Sequence, residues 1–416
     1  MSFDLVIANA RVVTCDGPGE SAAARLGIID AGAVAIEHDR IAWVGPQREL
    51  GIVRAHHTID AGGRVVLPGL IDPHTHLIFA GSRVDEFARR MAGEDYRAIA
   101  AAGGGIAATV RASREASDDE LFTLAKARAL ALRSRGVTGA EIKSGYGLST
   151  EHELRHLAVA RRLDEEGVLR VTTSLLGAHA VPAERRDDRA AYVEEVATAM
   201  VPLARERGLA DACDVYLDEG AFSRAEADRV LRAAKRAGLA IRAHVGQFAE
   251  LGGAELVAEL GGLSCDHLEA VSDRGLDAIA EAGVVAVLLP GAWRTLRQTP
   301  PDVERMRARG VAIAIGTDCN PGTSPCVDLP LAAALAVRDA GLTLEEAILG
   351  ITTLAARAAG FSDAGRIAPG LRADLAIFDE EDPRALAYAL GGIEARAVVL
   401  GGCVVHERAA AEAGLW

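Results

Sequence analysis

Hydrophobic and polar positions change their period twice along the chain. The N-terminal runs DLVIANARVVTCDG, AVAIEHDRIAWVG and HTIDAGGRVVLPG are β-branched and partly alternating, and Gly, Asn and Asp break them up. Such runs predict short strands joined by turns. ADLAIFDEED and ARAVVLGGCVVHE, near the other end, read the same way. Between these two regions, helical spacing alternates with short apolar runs. SDDELFTLAKARALALRSRG has apolar residues at helical spacing, a cap at Ser117 or Asp118 and a stop at Gly136. STEHELRHLAVARRLDEEG starts at Ser149 and Thr150 and ends at Gly167. DRAAYVEEVATAMVPLARERG, SRAEADRVLRAAKRAG, GGAELVAELGG and SDRGLDAIAEAG follow as further helices.

Strand-like runs separate these helices, eight of them from VVLPGLID to VAIAIGTD. Strands joined by helices of this size predict an α/β chain with a closed (β/α)8 TIM-like barrel over residues 67–363. The terminal segments, 1–66 and 364–416, are expected to pair into one small β-sandwich domain. An open doubly wound sheet is the competing arrangement, but it offers no reason for eight units in series.

The polar residues fall at the strand ends: His74 and His76, Tyr146, His179, Asp218 and Glu219, His244, His267, Asp318. In a barrel the carboxyl ends of the strands share one face, so these side chains converge there. In GLIDPHTHLIFAGSR the imidazoles of His74 and His76 sit two apart at a strand end and point the same way. A single buried histidine is more often a hydrogen-bonded core residue than a ligand. A His-x-His pair joined by His244 and Asp318 reads better as a metal site, because imidazole is the commonest metal ligand. Asp318 by itself, ahead of the loop CNPGTSP, also fits a turn carboxylate. Three neutral nitrogens and a carboxylate suit one metal ion, Zn²⁺ or Fe²⁺/Fe³⁺, with a position left for water. Such an ion brings the pKa of water toward roughly 7, which predicts a hydrolase.

Composition narrows the choice. The chain has 416 residues, of which 50% are hydrophobic and 25% charged, as in folded globular proteins. A net charge of −14 argues against a nucleic-acid partner, which needs a basic face. MSFDLVIANARVV has no basic leader, and apolar runs such as AGVVAVLLPGAW are too short to cross a bilayer. The six cysteines are scattered, with no Cys-x-x-Cys pair. They predict reduced, mostly buried thiols and a cytoplasmic location. AAGGGIAATV lacks the spacing of a phosphate loop and is expected to be a mobile loop near the barrel mouth. Lys143 could be carboxylated to bridge two metals, but a buried, paired cation is the preferred reading.

PGLIDPHTH, RAHVG, CDHLE and IGTDCNPG, flanked by terminal β segments, resemble the amidohydrolase superfamily of metal-dependent hydrolases. HTHLIFAGSR, AAGGGI, EIKSGYGL, GAHAVP, GTDCNPGTSP and GRIAPGLRADL narrow the resemblance, over essentially the whole chain, to the imidazolonepropionase family. The resemblance implies metal ligation by His74, His76, His244 and Asp318. It also places Arg83, Tyr146, His179, Gln247, Asn320, Gly322 and Thr323 around the substrate, 4-imidazolone-5-propanoate. The implied reaction hydrolyses a ring C–N bond to give N-formimidoyl-L-glutamate, a step in histidine degradation. A homodimer with no nucleic-acid or membrane partner is implied as well.

Within that reading, Arg83 suits the carboxylate tail of the substrate. His267 is expected to shuttle the proton, with Asp318 as second choice, and His267 or His179 to steady the developing oxyanion. Some family members place a Glu three residues after the third metal histidine. Here Gln247 stands there and takes no proton at neutral pH, so it is expected to hydrogen-bond the substrate. Two rivals remain: a deaminase on the same barrel, which would release ammonia, and a metal-free assembly protein. The retained His74, His76, His244 and Asp318 count against the second.

Overall fold

The computed structural model describes residues 2–94, 104–410 and 414–415. The chain opens with β1 (Ser2–Val13), β2 (Ile28–Glu37), β3 (Arg40–Pro46), β4 (Arg54–Asp60) and β5 (Val65–Pro68). Three sequence runs thus yield more strands than expected. AVAIEHDRIAWVG folds back on itself at His38, whose φ of 55° sets a tight hairpin between β2 and β3.

Gly69 carries the chain from one sheet into the next, so VVLPGLID is divided between the two. β6 (Leu70–Thr75), β7 (Val137–Lys143), β8 (Arg170–Ala178) and β9 (Ala212–Leu217) begin the second sheet. β10 (Ala240–Val245), β11 (Ser264–His267), β12 (Val285–Leu288) and β13 (Ala312–Ile315) complete it. Each pairs in parallel with its neighbour in chain order. The expected helices stand between them. Ser117, Ser149, Ser223 and Ser272 each accept a backbone N–H at the first turn of theirs, which fixes where those helices start.

One expected helix is not uniform. Turns Arg189–Glu195 and Val201–Glu206 flank a π turn, Val196–Met200, in which the Val201 N–H donates to the Val196 carbonyl. Pro202 brings no N–H to the helix, and the wider turn absorbs the missing donor.

The last strand returns to the first. Thr75 bridges Cys319, the Asp318 N–H donates to the His74 carbonyl at 3.0 Å, and the His76 N–H donates to the Cys319 carbonyl at 3.0 Å. Beneath this seam the Asp72 carboxylate accepts from the Thr317 N–H at 3.1 Å and from its hydroxyl at 2.5 Å. The sheet is therefore a closed eight-stranded barrel, and the open doubly wound alternative falls away.

After the barrel, β14 (Leu375–Phe378) lies antiparallel to β5, with Ala376 opposite Leu67. β15 (Ala395–Leu400) and β16 (Cys403–Glu407) extend it, giving the order β16-β15-β14-β5-β1-β2-β3 with β4 on β1. Ile7, Val12, Ile36, Val66, Ile377 and Val399 form this mixed sheet's own core. Ala376 and Phe378, on alternate positions of β14, join the core of the barrel instead. The two bodies are thereby clamped together.

The six cysteines are free thiols, four of them buried. Among the described residues no helix is long and apolar enough to cross a membrane. Ala101 to Gly103 of the glycine-rich stretch lie outside the described residues. Gly105 immediately precedes the helix Ile106–Glu115.

Gly69 occupies the crossing of the two sheets. A β-carbon there would lie 2.1 Å from Thr138 Oγ1 and 2.3 Å from its Cγ2. Gly69→Ala is expected to destabilise the fold by about 1–3 kcal/mol, read as a lower urea midpoint; an unchanged midpoint would mean that Thr138 yields freely.

Candidate active site

The pleat of β6 builds the first half of the site. His74, on β6, and His76, just past its end, turn to the same side, while the Thr75 hydroxyl between them donates to the Glu141 carbonyl of β7 at 2.7 Å. β10 delivers His244 across the barrel, with its Nε2 3.4 Å from His76 Nε2. One ring nitrogen from each of the three histidines falls within a common span of 4.8 Å. Asp318 Oδ1 lies 3.5 Å from Nε2 of both His74 and His76. All four side chains are buried.

These atoms are a poor match for one another and a good match for a cation. His74 Nε2 has no hydrogen-bond partner, and His76 Nε2 and His244 Nε2 face each other at 3.4 Å. Burial holds the His74 and His76 pKa values well below the ordinary imidazole range and His244 at about 4, so the rings are neutral and carry free lone pairs. Burial also pushes the Asp318 carboxyl up to about 7, against the pull of His267. Buried acceptors without a donor are costly, and a metal ion satisfies several at once. Borderline imidazole nitrogens with one carboxylate oxygen fit zinc or iron better than calcium or magnesium.

The backbone is strained where it supplies these groups. Asp318 has φ 51°, His267 φ 81° and Leu268 φ 72°, all left-handed conformations that residues with a β-carbon rarely adopt. His267 is buried beside the cluster, its ring centroid 5.4 Å from that of His244 and 5.9 Å from that of His74. Burial opposes a charge on His267, but Glu269 and Asp318 outweigh it and raise its pKa.

A charged layer lies under the histidines. His74 Nδ1 is 2.6 Å from Asp266 Oδ2, and His244 Nδ1 is 2.9 Å from Asp214 Oδ1. Lys143 Nζ sits 2.7 Å from Asp214, 3.1 Å from Glu141 and 3.5 Å from Asp266, the buried paired cation expected of it. Arg242 donates to the Ala358 carbonyl and lies 3.9 Å from Glu141. Glu141, Asp214, Asp266 and Arg242 were not among the expected site residues. Their signal was a charge inside an otherwise apolar strand run, as in GAEIK, ACDVYL, AIRAHV and SCDH.

Several of the residues expected to meet the substrate lie against this cluster, Tyr146 and His179 beside His76, and Asn320 and Thr323 beside Asp318. Glu153 accepts the N–H groups of Gly145, Gly147 and Leu148 at 2.9, 2.8 and 2.7 Å, which pins the loop bearing Tyr146. Gly145, at φ 104°, lets His179 approach closely. His179 Nδ1 donates to the Gly145 carbonyl at 2.9 Å, and a β-carbon on Gly145 would stand 2.9 Å from that nitrogen. The His179 ring stacks on His76 at 5.3 Å and packs against Tyr146 at 5.4 Å. Asp218 accepts from the N–H groups of Gln247, Phe248 and Ala249, which fixes the turn after β10. Tyr216, a residue sequence reasoning passed over, donates its hydroxyl to Gln247 Oε1 at 2.7 Å.

On the far side, Asn320 Oδ1 accepts the N–H groups of Gly322 and Thr323, both at 2.8 Å, while its Nδ2 donates to the Asp318 carbonyl at 2.7 Å. Its side chain therefore serves its own loop. Arg83 pairs with Glu86 through two hydrogen bonds, and its guanidinium lies against Gly322. Glu86 in turn accepts the Gly105 N–H at 2.8 Å.

Known proteins share this architecture. Among solved structures, the chain is similar to an adenosine deaminase from Xanthomonas campestris with bound zinc, at a TM-score of 0.73 and 20% identity over 97% of this chain and 93% of that one. It is also similar to a 5-methylcytosine deaminase from Klebsiella pneumoniae, at a TM-score of 0.71 and 15% identity over 97% and 98%. Likeness at that identity speaks for the fold alone. In sequence the chain is 49% identical to the imidazolonepropionase of Acidiphilium cryptum over 91% of this chain and 93% of that one. It is 44% identical to the imidazolonepropionase of Paracoccus denitrificans over 95% and 99%. The amidohydrolase family matches residues 65–405. The chain belongs to the amidohydrolase family and, within it, to the imidazolonepropionases.

Proposed function

We propose that this chain hydrolyses the ring C–N bond of 4-imidazolone-5-propanoate to N-formimidoyl-L-glutamate. The reading rests above all on the convergence of His74, His76, His244 and Asp318 at the barrel mouth. Near relatives that carry the name imidazolonepropionase support it. Zn²⁺ or an iron ion held by those four side chains supplies Lewis acidity, lowering the pKa of water and polarising a carbonyl.

The remaining work falls to the chain's own groups. Water adds OH to the ring carbonyl carbon, the C–N bond breaks, and the departing nitrogen takes a proton. His267, which faces Glu269 across 3.8 Å, delivers that proton, with Asp318 as the alternative carrier. His179 keeps its Nδ1 proton on the Gly145 carbonyl, so its Nε2 is left as an acceptor for the pocket. Tyr146 offers its hydroxyl beside it. Arg83, braced by Glu86, meets the propanoate carboxylate at the loop carrying Gly322 and Thr323. Asn320 acts by holding that loop in shape. Because Tyr216 occupies Gln247 Oε1, the amide NH₂ of Gln247 is left to donate to the substrate.

The same reading divides the chain into a barrel over 67–363 and an accessory sandwich from 1–66 and 364–416, a boundary that falls within β5, a strand of the mixed sheet. It also makes the chain a cytoplasmic homodimer with a small-molecule substrate and no nucleic-acid or membrane partner.

Freshly prepared imidazolone propanoate should lose its ultraviolet absorbance on incubation with the chain. A chelator should stop the loss, and added zinc or iron should restore it. Ammonia release from azaheterocycles, with imidazolone propanoate untouched, would favour a deaminase instead. His267→Ala is expected to lower turnover about 100-fold or more while metal content, measured by atomic absorption, stays unchanged; near-normal turnover removes His267 from the proton path. Tyr216→Phe should raise KM about five-fold, equivalent to about 1 kcal/mol for one lost orienting hydrogen bond, with kcat nearly constant.

A further inference from the structure

Lys143 lies where two metal-ligand supports meet. Its side chain is fully buried on β7, and neither of the histidines it serves belongs to that strand. Asp266, on β11, lies 3.5 Å from Nζ and reaches His74 of β6 at 2.6 Å. Asp214, on β9, lies 2.7 Å from Nζ and reaches His244 of β10 at 2.9 Å with its other oxygen. One ammonium thus touches both carboxylates that hold histidine Nδ1 atoms.

Hydrogen-bond direction gives this arrangement a purpose. An ammonium donates and never accepts, and its charge beside Asp214 and Asp266 favours the ionised, accept-only form of both carboxylates. They then present acceptor oxygens to the rings as well. A neutral imidazole has one N–H, and an acceptor at Nδ1 keeps the hydrogen there, leaving Nε2 as a lone pair. That is the nitrogen which His74 and His244 turn toward the cluster centre: His74 Nε2 lies 3.5 Å from Asp318, and His244 Nε2 lies 3.4 Å from His76. The third carboxylate, Glu141 at 3.1 Å, completes the surroundings of Nζ.

We propose that Lys143 is a positioning residue that, through Asp214 and Asp266, fixes the metal-ready tautomer of His244 and His74 together. The inference rests on the reading of those histidines as metal ligands. It concerns how two ligands on separate strands are prepared at once, before any ion arrives.

The test compares metal-free wild-type protein with Lys143→Met and Lys143→Arg. Zinc affinity is measured by competition with a chromophoric chelator, and ring tautomers by ¹⁵N shifts of the labelled histidines. The wild type should show His74 and His244 as Nδ1–H rings. Lys143→Met should bind zinc about 10-fold or more weakly, with at least one of the two rings moving toward Nε2–H. Lys143→Arg, which keeps the charge, should stay within a few-fold of wild type. Unchanged affinity and tautomers in a folded Lys143→Met protein overturn the inference and leave the ligand reading standing. If Lys143→Met does not fold, Lys143→Met combined with Glu141→Gln takes its place in the same measurements. A wild-type Nε2–H ring at His74 or His244 overturns the inference by itself. A wild-type chain that takes up neither zinc nor iron overturns the ligand reading, and the inference with it.

Discussion

The site depends on the seam where β6 meets the end of β13. Two backbone hydrogen bonds there, Asp318 N–H to the His74 carbonyl and His76 N–H to the Cys319 carbonyl, close the barrel. The same residues carry three of the four side chains that meet at the mouth. Closure and site assembly are therefore one event. A strand has a period of two, so a slip of one residue at this seam would turn His74 and His76 outward and Thr75 inward. Asp72, gripping Thr317 with both carboxylate oxygens, resists that slip from below.

The second constraint is electrostatic. Glu141, Asp214, Asp266, Lys143 and Arg242 are charged groups with almost no solvent exposure, in the part of a barrel that apolar side chains usually fill. Buried ions persist when each finds partners, and replacing them by well-packed apolar residues is often no loss to stability. Their presence here is explained by what they touch. Two of the carboxylates hold histidines, Glu141 completes the lysine's surroundings, and the Glu141 carbonyl holds Thr75. The strain at His267, Leu268 and Asp318 belongs to the same picture, since the backbone takes unfavourable angles where it presents side chains to the centre.

Much of this was legible in the sequence. Alternating periods gave the barrel, serine caps placed the helix starts, and polar residues at the ends of apolar runs marked the mouth. What stayed hidden was of three kinds. Strand ownership was hidden because VVLPGLI runs apolar without a break up to Asp72, and only pairing partners reveal that Val65–Pro68 and Leu70–Thr75 join different sheets. The π turn was hidden because Val196–Met200 keeps its apolar positions, and the cause, Pro202, lies downstream. Apart from Lys143, which already read as a buried, paired cation, the charged layer was hidden because a lone Asp, Glu or Arg in a strand run reads as an edge or a turn until the run is closed into a barrel and that position faces inward. Tyr216 and Asn320 show the same limit from another side. Their residue types announce polarity, but which group each one orients follows from the folded shape: Tyr216 reaches across to Gln247, and Asn320 turns back on its own loop.

The pairing of β5 with β14 has a consequence for how the protein comes into being. Leu67 finds its neighbour Ala376 only after the whole barrel sequence has intervened. On a ribosome, which releases the chain from its beginning, the first strands wait with one hydrogen-bonding edge uncovered through most of synthesis. Exposed edges of this kind recruit other chains, so this interval is the moment of greatest danger for aggregation. Arrival of Leu375–Phe378 ends it, capping the edge and, through Phe378, locking the finished barrel to the sheet in one stroke.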